Sequence, residues 1–386
     1  MTSLRRTRPR PPVRAMHLGL GNFFRAHQAW YTHAAVDGQE WGIAAFAGRR
    51  PDLAEALAVG DCLYRLEVRG PTGSAAEVVE SIAEVHVASD AEAWLRLWAD
   101  PAVGYVTLTV TEPAYRLDDD PSSVTSRLVA GLRARRAAGA GPIALIPCDN
   151  LPANGEVLRD VVAARTLGDP GLAAWVDANA RYVSTVVDRI TPANEDPLIV
   201  VTEPYTDWVI GARPGPTYPR WDTAGARFVE DVAPYEARKL FLLNGAHSLL
   251  AYCGRPLGHR LVAEAIADPR CRDWVRQWWD EARPYVAVPD LEPYVEALLL
   301  RFENPAIEHR LDQIALDGPE KLRVRVLPVL RAERAAGRMP AAAVRILAGY
   351  ARSDTASIAQ MLARIDPSLP DDADLVAAVT RERIGS

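Results

Sequence analysis

One apolar helical segment of this chain carries three polar side chains of different chemistry, Lys239, Asn244 and His247. Burying an amine, an amide and an imidazole among leucines costs free energy unless a hydrogen bond or a function compensates it. At about 100° per residue, Lys239 and His247 lie roughly 80° apart around a helix axis, and Asn244 lies roughly 60° beyond His247. We therefore expect the three side chains to face one cavity.

Such a trio suits a reaction in which a hydroxyl becomes a carbonyl. A lysine that loses its own proton can accept the hydroxyl proton, and an amide donor stabilises the charge that develops on the oxygen. The structural alternative is that the Lys239 amine reaches solvent along its apolar stem while Asn244 caps a neighbouring carbonyl.

A second chemical signal lies near the N-terminus, where an apolar strand runs into Gly19 and Gly21. Glycines after a strand let the backbone approach a pyrophosphate, and the following helix presents its N-terminal amides to it. Phe24 stands in place of the third glycine of the GxGxxG motif, so a plain strand-to-helix turn is an equal alternative. The position of this motif at the start of an alternating strand and helix pattern favours its interpretation as a nucleotide-binding loop.

The residues after the second predicted strand bear on the choice of cofactor. An acid there normally holds the ribose of NAD, but here Arg49 and Arg50 occupy that place and Asp52 follows. Because arginine can receive the extra phosphate of NADP, we expect NAD or NADP as cofactor. Two solvated loop arginines are the alternative.

The net charge, the length of the apolar stretches and the cysteine spacing argue against several classes of protein. A net charge of −6 argues against a nucleic-acid binder, which would carry a basic surplus. No apolar stretch approaches the roughly 20 residues of a membrane span. The four cysteines (Cys62, Cys148, Cys253 and Cys271) are scattered without metal-ligand spacing, which predicts a reducing cytoplasm and no metal.

The supporting elements follow from hydrophobic periodicity. The first half of the chain alternates short apolar runs with helical patterns, which indicates a parallel α/β sheet, and residues 62–87 predict an inserted antiparallel hairpin. From about Pro234 onward the pattern is helical, and the aromatic segment 274–279 is interpreted as core or interface packing. The predicted strands are 14–18, 42–47, 105–110, 143–147 and 198–202, and the predicted helices include 25–36, 91–99, 123–137 and 157–165.

These elements predict an α/β fold with an N-terminal Rossmann-like, doubly wound sheet domain followed by a mostly α-helical C-terminal domain. A chain of 386 residues exceeds what one hydrophobic core usually serves, which also favours two domains. The expected boundaries are a disordered basic tail at 1–12, a nucleotide-binding domain at 13–220 and a helical substrate or catalytic domain at 221–386.

An ordered series of short motifs resembles the polyol-specific long-chain dehydrogenase family, which includes mannitol 2-dehydrogenase, D-arabinitol dehydrogenase and fructuronate reductase. The resemblance extends from Met16 to about Leu330. The motifs are residues 19–28, 109–113, 147–150, 154–155, 187–192, 202–204, 208–210, 235–240, 243–248, 301–305 and 317–318.

The resemblance implies the same two-domain fold, a reaction without a metal, and roles for individual residues. Lys239 would be the general base, and Asn150 and Asn244 would hold the developing alkoxide. His247 would orient the substrate hydroxyl, and Glu236 would lie on the route of the proton to solvent. The expected cofactor contacts are Gly19, Gly21, Asn22, Phe23, Arg25, Thr111 and Glu112, together with Arg49 and Arg50 from their place after the second strand.

Substrate contacts are expected at Asp188, Arg310, Gln313 and Lys321. Asp188 could instead pair with Arg189 in a turn. The segment 309–322 is more similar to the fructuronate-reductase and arabinitol-dehydrogenase branch than to the mannitol branch, in which arginine tends to stand at the Gln313 position. Its donors, which include His309, would suit a polyhydroxylated or carboxylated substrate, whereas a helix end with solvated charges is the alternative.

The sequence therefore predicts a cytoplasmic oxidoreductase that uses NAD or NADP. It would interconvert a secondary alcohol of a linear polyol or sugar acid, of the mannitol, arabinitol or mannonate type, with the ketose or keto-uronate, of the fructose, xylulose or fructuronate type. We expect a monomer or weak homo-oligomer with a small-molecule substrate and no nucleic-acid or membrane partner. The alternatives are a phosphopolyol dehydrogenase, which would need a phosphate clamp, and a catalytically inactive NAD(P)-binding regulator, which would need no base.

Overall fold

The computed structural model describes residues 4–48, 51–118, 120–212, 215, 217–289 and 291–385. The chain divides into two compact units, an N-terminal unit of Met1–Ala233 and a C-terminal unit of Pro234–Ser386. Within the described ranges, no helix combines the length and the apolar character needed to cross a membrane.

The N-terminal unit contains the strands. They are β1 (Val13–Leu18), β2 (Gly42–Phe46), β3 (Tyr64–Gly70), β4 (Gly73–Val79), β5 (Ile82–His86), β6 (Tyr105–Leu108), β7 (Ile143–Pro147), β8 (Ala180–Tyr182), β9 (Thr185–Asp188), β10 (Ile199–Thr202), β11 (Asp207–Gly211) and β12 (Arg227–Val229). Six of them form the main sheet in the order β5-β2-β1-β6-β7-β8, and every neighbouring pair is parallel.

The main sheet is doubly wound, as predicted. The chain moves from β1 to β2 on one side and later to β6 on the other, so the strand order reverses at the carboxyl ends of β1 and β6. Open α/β sheets bind their ligands at such a switch point.

Helices cover this sheet because both of its faces are apolar. Ala15 and Ala45 belong to the core cluster on one face, while the next residues along β1 and β2, Met16 and Phe46, belong to the cluster on the other face. The helices of this unit are α1 (Asn22–Ala26), α2 (Gln28–Ala34), α3 (Pro51–Val59), α4 (Ala91–Trp98), α5 (Val124–Ala138), α6 (Asn154–Thr166) and α7 (Pro170–Asn179).

Two small sheets complete the N-terminal unit. The predicted hairpin is confirmed, because β3 and β4 pair antiparallel around the turn between Gly70 and Gly73. The predicted strand at 198–202 forms as β10, but it pairs with β3 and not with the main sheet. Its assignment to the parallel sheet was wrong because an apolar run does not identify the neighbouring strand.

The third sheet, in the order β12-β11-β9, bears on where the unit ends. The side chain of Trp221 is fully buried and lies 4.6 Å from Trp208 of β11 between ring centroids. Because β12 also pairs with β11, the N-terminal unit continues to Ala233, beyond the expected boundary at 220/221.

The basic N-terminal segment is ordered where the structure describes it. Arg6 donates to the carbonyl oxygen of Glu80 at 2.8 Å and to that of Ile82 at 2.7 Å. The expectation of a disordered tail at 1–12 is therefore wrong for residues 4–12, because the main sheet's edge offers carbonyl acceptors to this arginine.

The C-terminal unit is helical, as predicted. Its helices are α8 (Ala233–Ala237), which begins on the last residue of the N-terminal unit, α9 (Gly245–Leu249), α10 (Val262–Ala267), α11 (Pro269–Ala282), α12 (Leu291–Phe302), α13 (Leu311–Ile314), α14 (Gly318–Arg325), α15 (Leu327–Ala335), α16 (Ala341–Arg352), α17 (Ile358–Ile365) and α18 (Ala373–Gly385).

Candidate active site

The loop between β1 and α1 brings two glycines to the carboxyl edge of the sheet. Gly19 has a φ of +113°, and a Cβ atom there would lie 2.2 Å from the carbonyl oxygen of Thr109. Only glycine lets the loop pass this close to the next strand. Gly21 precedes α1, and its Cβ would meet nothing nearer than the Gly19 oxygen at 3.7 Å. This is the open backbone surface that a pyrophosphate requires at the end of a first strand.

A buried histidine that the sequence analysis missed holds this loop. Nε2 of His17 lies 3.2 Å from the carbonyl oxygen of Gly19 and 3.0 Å from Oγ1 of Thr109, and its ring stacks on Phe24 at 3.5 Å. Burial lowers the pKa of His17 to about 3, so the ring is neutral at pH 7. A histidine inside a buried strand directly before the glycines was the signal that could have revealed it.

The helix predicted at 25–36 is interrupted at His27, where φ is −122° and ψ is −91°. Nε2 of His27 lies 3.1 Å from the carbonyl oxygen of Asp207, and its Nδ1 lies 3.0 Å from Nε2 of Gln28. These contacts tie the ring to β11, and the chain continues as two short helices, α1 and α2, instead of one.

Arg25, an expected cofactor contact, is almost fully buried. Its guanidinium donates to the carbonyl oxygens of Gly21 and Pro197 and to Oδ1 of Asn22. The structure therefore favours a role in holding the glycine loop over a direct contact with the nucleotide.

The other expected cofactor residues border the same edge. Asn22 and Phe23 are half-buried in the first turn of α1, and Thr111 and Glu112 are exposed after the end of β6. Because β1 and β6 are neighbours in the sheet, these four residues follow two adjacent strand ends.

Arg49 and Arg50 lie outside the described residues. Their assignment to the 2′-phosphate of NADP therefore stays a prediction.

The carboxyl end of β7 carries Asn150, which is exposed. The side chain of Asn154 fixes the backbone behind it, since Nδ2 donates to the carbonyl oxygen of Thr185 at 3.1 Å and Oδ1 accepts from the Thr185 amide at 3.0 Å. Asp149 is half-buried beside Asn150 and accepts a hydrogen bond from the hydroxyl of Tyr115. Burial raises the pKa of Asp149 to about 6. Neither Asn154 nor Asp149 had an assigned role in the sequence analysis.

Asp188 is the last residue of β9 and is 4% exposed. It stands opposite Asp207 of β11, whose carboxylate forms a bidentate pair with Arg227. Arg189 donates instead to the carbonyl oxygens of Ala26 and Glu203, which disfavours the simple turn pair with Asp188.

Lys239 and Asn244 lie in a π-helical turn, Arg238–Asn244, that continues α8 and leads into α9. His247 follows within α9, so one continuous helix carries all three predicted residues. A π-turn bonds residue i to i+5, and the angles calculated for an ideal α-helix do not apply here. Glu236 is half-buried in α8, three residues before Lys239.

Helix α11 supports this π-turn. The indole nitrogen of Trp279 donates to the carbonyl oxygen of Leu242 at 2.9 Å. Gly245 follows the turn, and a Cβ atom there would lie 2.5 Å from the indole nitrogen of Trp278. The interpretation of the aromatic segment as core packing is confirmed for Trp278 and Trp279, which are buried.

The ring of His247 is buried against Phe302 at 4.9 Å and His309 at 4.7 Å between centroids. Nε2 of His247 and Nδ1 of His309 are buried without a hydrogen-bond partner among the described residues. Burial, reinforced by His309 and Arg325, holds the pKa of His247 well below its ordinary value, and burial lowers the pKa of His309 to about 4. Both rings are neutral at pH 7.

Two cations of α14 border the same helix. Nη1 of Arg325 lies 3.5 Å from the carbonyl oxygen of Asn244, and burial lowers the pKa of Arg325 to about 10. Lys321, one turn earlier, donates to the carbonyl oxygen of Ile314 at 3.2 Å. Burial and then the charge of Arg325 lower the pKa of Lys321.

Two of the expected substrate contacts, Arg310 and Gln313, are exposed, and their role stays a prediction. Arg310 is exposed and pairs with Asp312 at 2.6 Å, and Gln313 is exposed beside it on α13. Lys321 is close to Arg325, whose charge acts on the ring of His247, whereas the structure gives Arg310 and Gln313 no contact with these residues.

Lysine is rare in this chain. Of its 44 lysine and arginine residues only two are lysines, Lys239 and Lys321. Arginine cannot lose its proton in a protein, whereas a lysine amine can. Both lysine side chains therefore lie in or beside the segment where a base was predicted.

One group of possible metal ligands occurs within the described residues. A ring nitrogen of His259, a carboxylate oxygen of Asp268 and the sulfur of Cys271 lie within 4.8 Å of one another. Asp268 also pairs with Arg270 at 2.8 Å and caps α11, so its carboxylate already has a cationic partner.

A doubly wound sheet with an open glycine loop, together with a helix that carries a lysine, an amide and a neutral imidazole, defines a nucleotide-dependent oxidoreductase with a helical second unit. The chain belongs to the mannitol dehydrogenase family. Residues 13–222 match the model of the mannitol dehydrogenase Rossmann domain, and residues 231–384 match that of the mannitol dehydrogenase C-terminal domain.

Named relatives are similar over most of their length. The D-mannonate oxidoreductase of Escherichia coli (strain K12) is 34% identical over 82% of this chain and 75% of its own. The mannitol 2-dehydrogenase of Cereibacter sphaeroides is 34% identical over 87% and 80%, and the D-arabinitol 4-dehydrogenase of Ralstonia nicotianae is 33% identical over 97% and 92%.

Two solved structures share the fold. The Pseudomonas fluorescens mannitol 2-dehydrogenase, in a ternary complex with NAD and D-mannitol, has a TM-score of 0.87 at 31% identity and covers 97% of this chain and 91% of its own. A substrate-free D-sorbitol dehydrogenase has a TM-score of 0.85 at 26% identity, with 97% and 93% covered.

Proposed function

We propose that this protein is a metal-independent dehydrogenase that uses NAD or NADP. It interconverts a secondary alcohol of a linear polyol or sugar acid with the corresponding ketose or keto-acid. The observation that carries this proposal is the single helix that holds Lys239, Asn244 and His247. The named relatives act on mannonate, mannitol and arabinitol, which supports a linear polyhydroxylated substrate.

Lys239 is the proposed general base. In oxidation its neutral amine takes the proton of the substrate hydroxyl, and in reduction its ammonium returns that proton. The sequence supports this role, because arginine serves at every cationic position except 239 and 321. Glu236, three residues earlier, is proposed to accept the proton from Lys239 and to pass it to solvent.

Asn244 and Asn150 are the proposed amide donors to the developing alkoxide. Amide donors stabilise charge on the oxygen without competing for the proton. Burial keeps His247 neutral, so its ring can orient the hydroxyl while adding no charge. Asp188, buried at the end of β9, is the proposed partner of a substrate hydroxyl.

The glycine loop fits a dinucleotide. The left-handed Gly19 and the open Gly21 leave the backbone accessible, and His17 and Arg25 hold the loop from behind. A bound nicotinamide would supply the hydride acceptor or donor. Asn22, Phe23, Thr111 and Glu112 are the proposed neighbours of the cofactor, and Arg49 and Arg50 the proposed partners of a 2′-phosphate.

A substrate panel tests this function. Pentitols, hexitols, aldonates, ketoses and keto-uronates are each incubated with NAD or NADP, oxidised or reduced as required, and followed at the nicotinamide absorbance. We expect turnover of at least one linear polyol or sugar acid in both directions. Binding of nucleotide without turnover of any compound would contradict the proposal and favour an inactive regulator.

We further propose a cytoplasmic location and a monomer or weak homo-oligomer. The four cysteines are free and buried, which suits a reducing compartment. The acidic net charge supports the absence of a nucleic-acid partner.

A further inference from the structure

Arg325 is a half-buried cation that forms no ion pair with a carboxylate of the described residues. Its Nη1 donates to two neutral oxygens, the Asn244 carbonyl at 3.5 Å and Oγ of Ser248 at 3.3 Å. Among the residues that the structure describes, no carboxylate forms an ion pair with Arg325, whereas Arg338 nearby in sequence pairs with Glu333 at 2.7 Å. Desolvating a guanidinium costs free energy that a carboxylate partner would offset, so this half-buried arginine is suited to an external anion.

Other polar groups near Arg325 also lack an ion-pair or hydrogen-bond partner among the described residues. Lys321 also forms no ion pair within the described ranges; Asp317 is close enough to raise its pKa but lies beyond salt-bridge distance. His247 and His309 each keep a buried nitrogen without a hydrogen-bond partner among those residues. Among the described residues, two cations and two neutral rings therefore gather without a carboxylate in salt-bridge contact.

This group lies beside the proposed chemistry. Nη1 of Arg325 contacts the backbone of Asn244, and the charge of Arg325 acts on the ring of His247. An anion bound by Arg325 would thus sit within a few bond lengths of the helix that carries the base. A linear sugar derivative could extend from Arg325 to this helix, because its charged end and its reacting carbon lie on one short chain.

We propose that Arg325, assisted by Lys321, binds the carboxylate of the substrate, so that this enzyme acts on a sugar acid in preference to a neutral polyol. This inference rests on the proposed function. Because only Nη1 of Arg325 is engaged, its Nε and Nη2 edge can pair with both oxygens of a carboxylate.

A carboxylate fits this place better than a phosphate ester. Arg325 is the last residue of α14, and the carbonyl end of a helix disfavours additional negative charge. One carboxylate can pair with Nε and Nη2 of a single guanidinium. Phosphate sites in proteins usually add backbone amides at a helix N-terminus.

The test compares substrates that differ only at one end. The ratio of kcat/KM for D-mannonate over D-mannitol, and for D-arabinonate over D-arabinitol, is measured in wild type, Arg325→Met, Arg325→Lys and the control Arg276→Met. Arg276 is an exposed arginine of α11. Mannitol 1-phosphate forms a third arm, and nucleotide binding and thermal unfolding verify that each variant is folded.

We expect wild type to prefer the sugar acid by about 100-fold in at least one pair, and Arg325→Met to remove about that factor, mainly through KM. Arg325→Lys should retain part of the preference, and Arg276→Met should keep all of it. The wild-type ratios decide the substrate class even where Arg325→Met does not fold.

Several results would overturn the inference. A wild-type preference for the neutral polyol would exclude the carboxylate, and a preference for the phosphate ester would assign the cations to a phosphate. A sugar-acid preference that Arg325→Met leaves intact would move the carboxylate away from Arg325. Absence of turnover on every compound with either cofactor would instead overturn the proposed function itself.

Discussion

Trp278 of α11 donates its indole N–H to the main-chain carbonyl oxygen of Phe241 at 2.7 Å, in the middle of the π-turn. A π-turn departs from the i to i−4 bonding of an α-helix, and its carbonyls need other donors when they are buried. Trp278 supplies one of them and so fixes the turn on which Lys239 and Asn244 lie.

Replacing Trp278 by phenylalanine should therefore affect stability and activity together. The carbonyl of Phe241 would lose its donor, at a cost of about 1–3 kcal/mol in the free energy of unfolding. A shift of the π-turn by a fraction of an ångström should lower kcat by about 10- to 100-fold. Denaturant unfolding and steady-state kinetics on the same preparation measure both effects.

Trp274→Phe is the matched control, since Trp274 lies on the same helix and is only half-buried. We expect this variant to keep its kcat. Equal loss of activity in both variants would show that α11 acts through general packing and not through the bond to Phe241.

Lys239→Ala should abolish most turnover while nucleotide binding persists. Loss of a general acid or base costs about 10²- to 10⁴-fold in rate. Stopped-flow or steady-state kcat across the pH range checks this, together with titration of the reduced cofactor. Retention of more than about half of kcat at every pH would remove Lys239 from the role of base.

Because the chain has two lysines, Lys321→Arg leaves Lys239 as the sole lysine. Amine-selective acetylation of this variant should inactivate it once the Lys239 side chain, located by peptide mass spectrometry, has become a non-basic amide. Full activity after complete modification of Lys239 would contradict the proposed proton transfer.

Asn244→Ala should lower kcat far more than it raises KM. A single oxyanion donor contributes about 3 kcal/mol to the transition state, which corresponds to 10²- to 10³-fold in kcat. Asn150→Ala should behave in the same way. The control is Asn179→Ala on α7, whose amide donates to the carbonyl oxygen of Trp175. A change confined to KM would assign Asn244 to substrate binding alone.

Protonation of His309 should destabilise the protein in acid. Its pKa is about 4 in the folded state against an ordinary value of 6.5, so the unfolded state takes up the proton first as pH falls. The neutral ring's contribution to stability is therefore complete above pH 6.5 and is lost progressively down to about pH 4. Chemical unfolding at several pH values should show a shallower decline for His309→Gln than for wild type. Parallel curves would show that His309 does not carry the effect.

Local patterns in the sequence predicted much of this fold. The strand at 143–147, the hairpin around Gly70 and the helical second half all form, because turn residues and hydrophobic period are local properties. The partner of β10 and the kink at His27 depend on contacts distant in sequence, such as the bond from His27 to Asp207, and no local pattern contains them.

The candidate site divides in the same way. Lys239, Asn244 and His247 were visible because polar residues interrupt an apolar run. Arg325 was not, since its meaning comes from the absence of an ion pair within the described residues and from its contact with Asn244. The π-turn was also hidden, because it depends on the indoles of α11.

Cofactor choice gives the last prediction. Arg49 and Arg50 occupy the place after β2 where an acid would repel the 2′-phosphate of NADP, and the guanidinium of Arg50 could pair with that phosphate. We expect the enzyme to accept both cofactors and Arg50→Glu to weaken the use of NADP while sparing NAD. Arg133→Glu, at an exposed arginine of α5, controls for the change of net charge. The measurement is kcat/KM for both cofactors in all three proteins; an NADP efficiency that survives the reversal would show that Arg50 is a solvated loop charge.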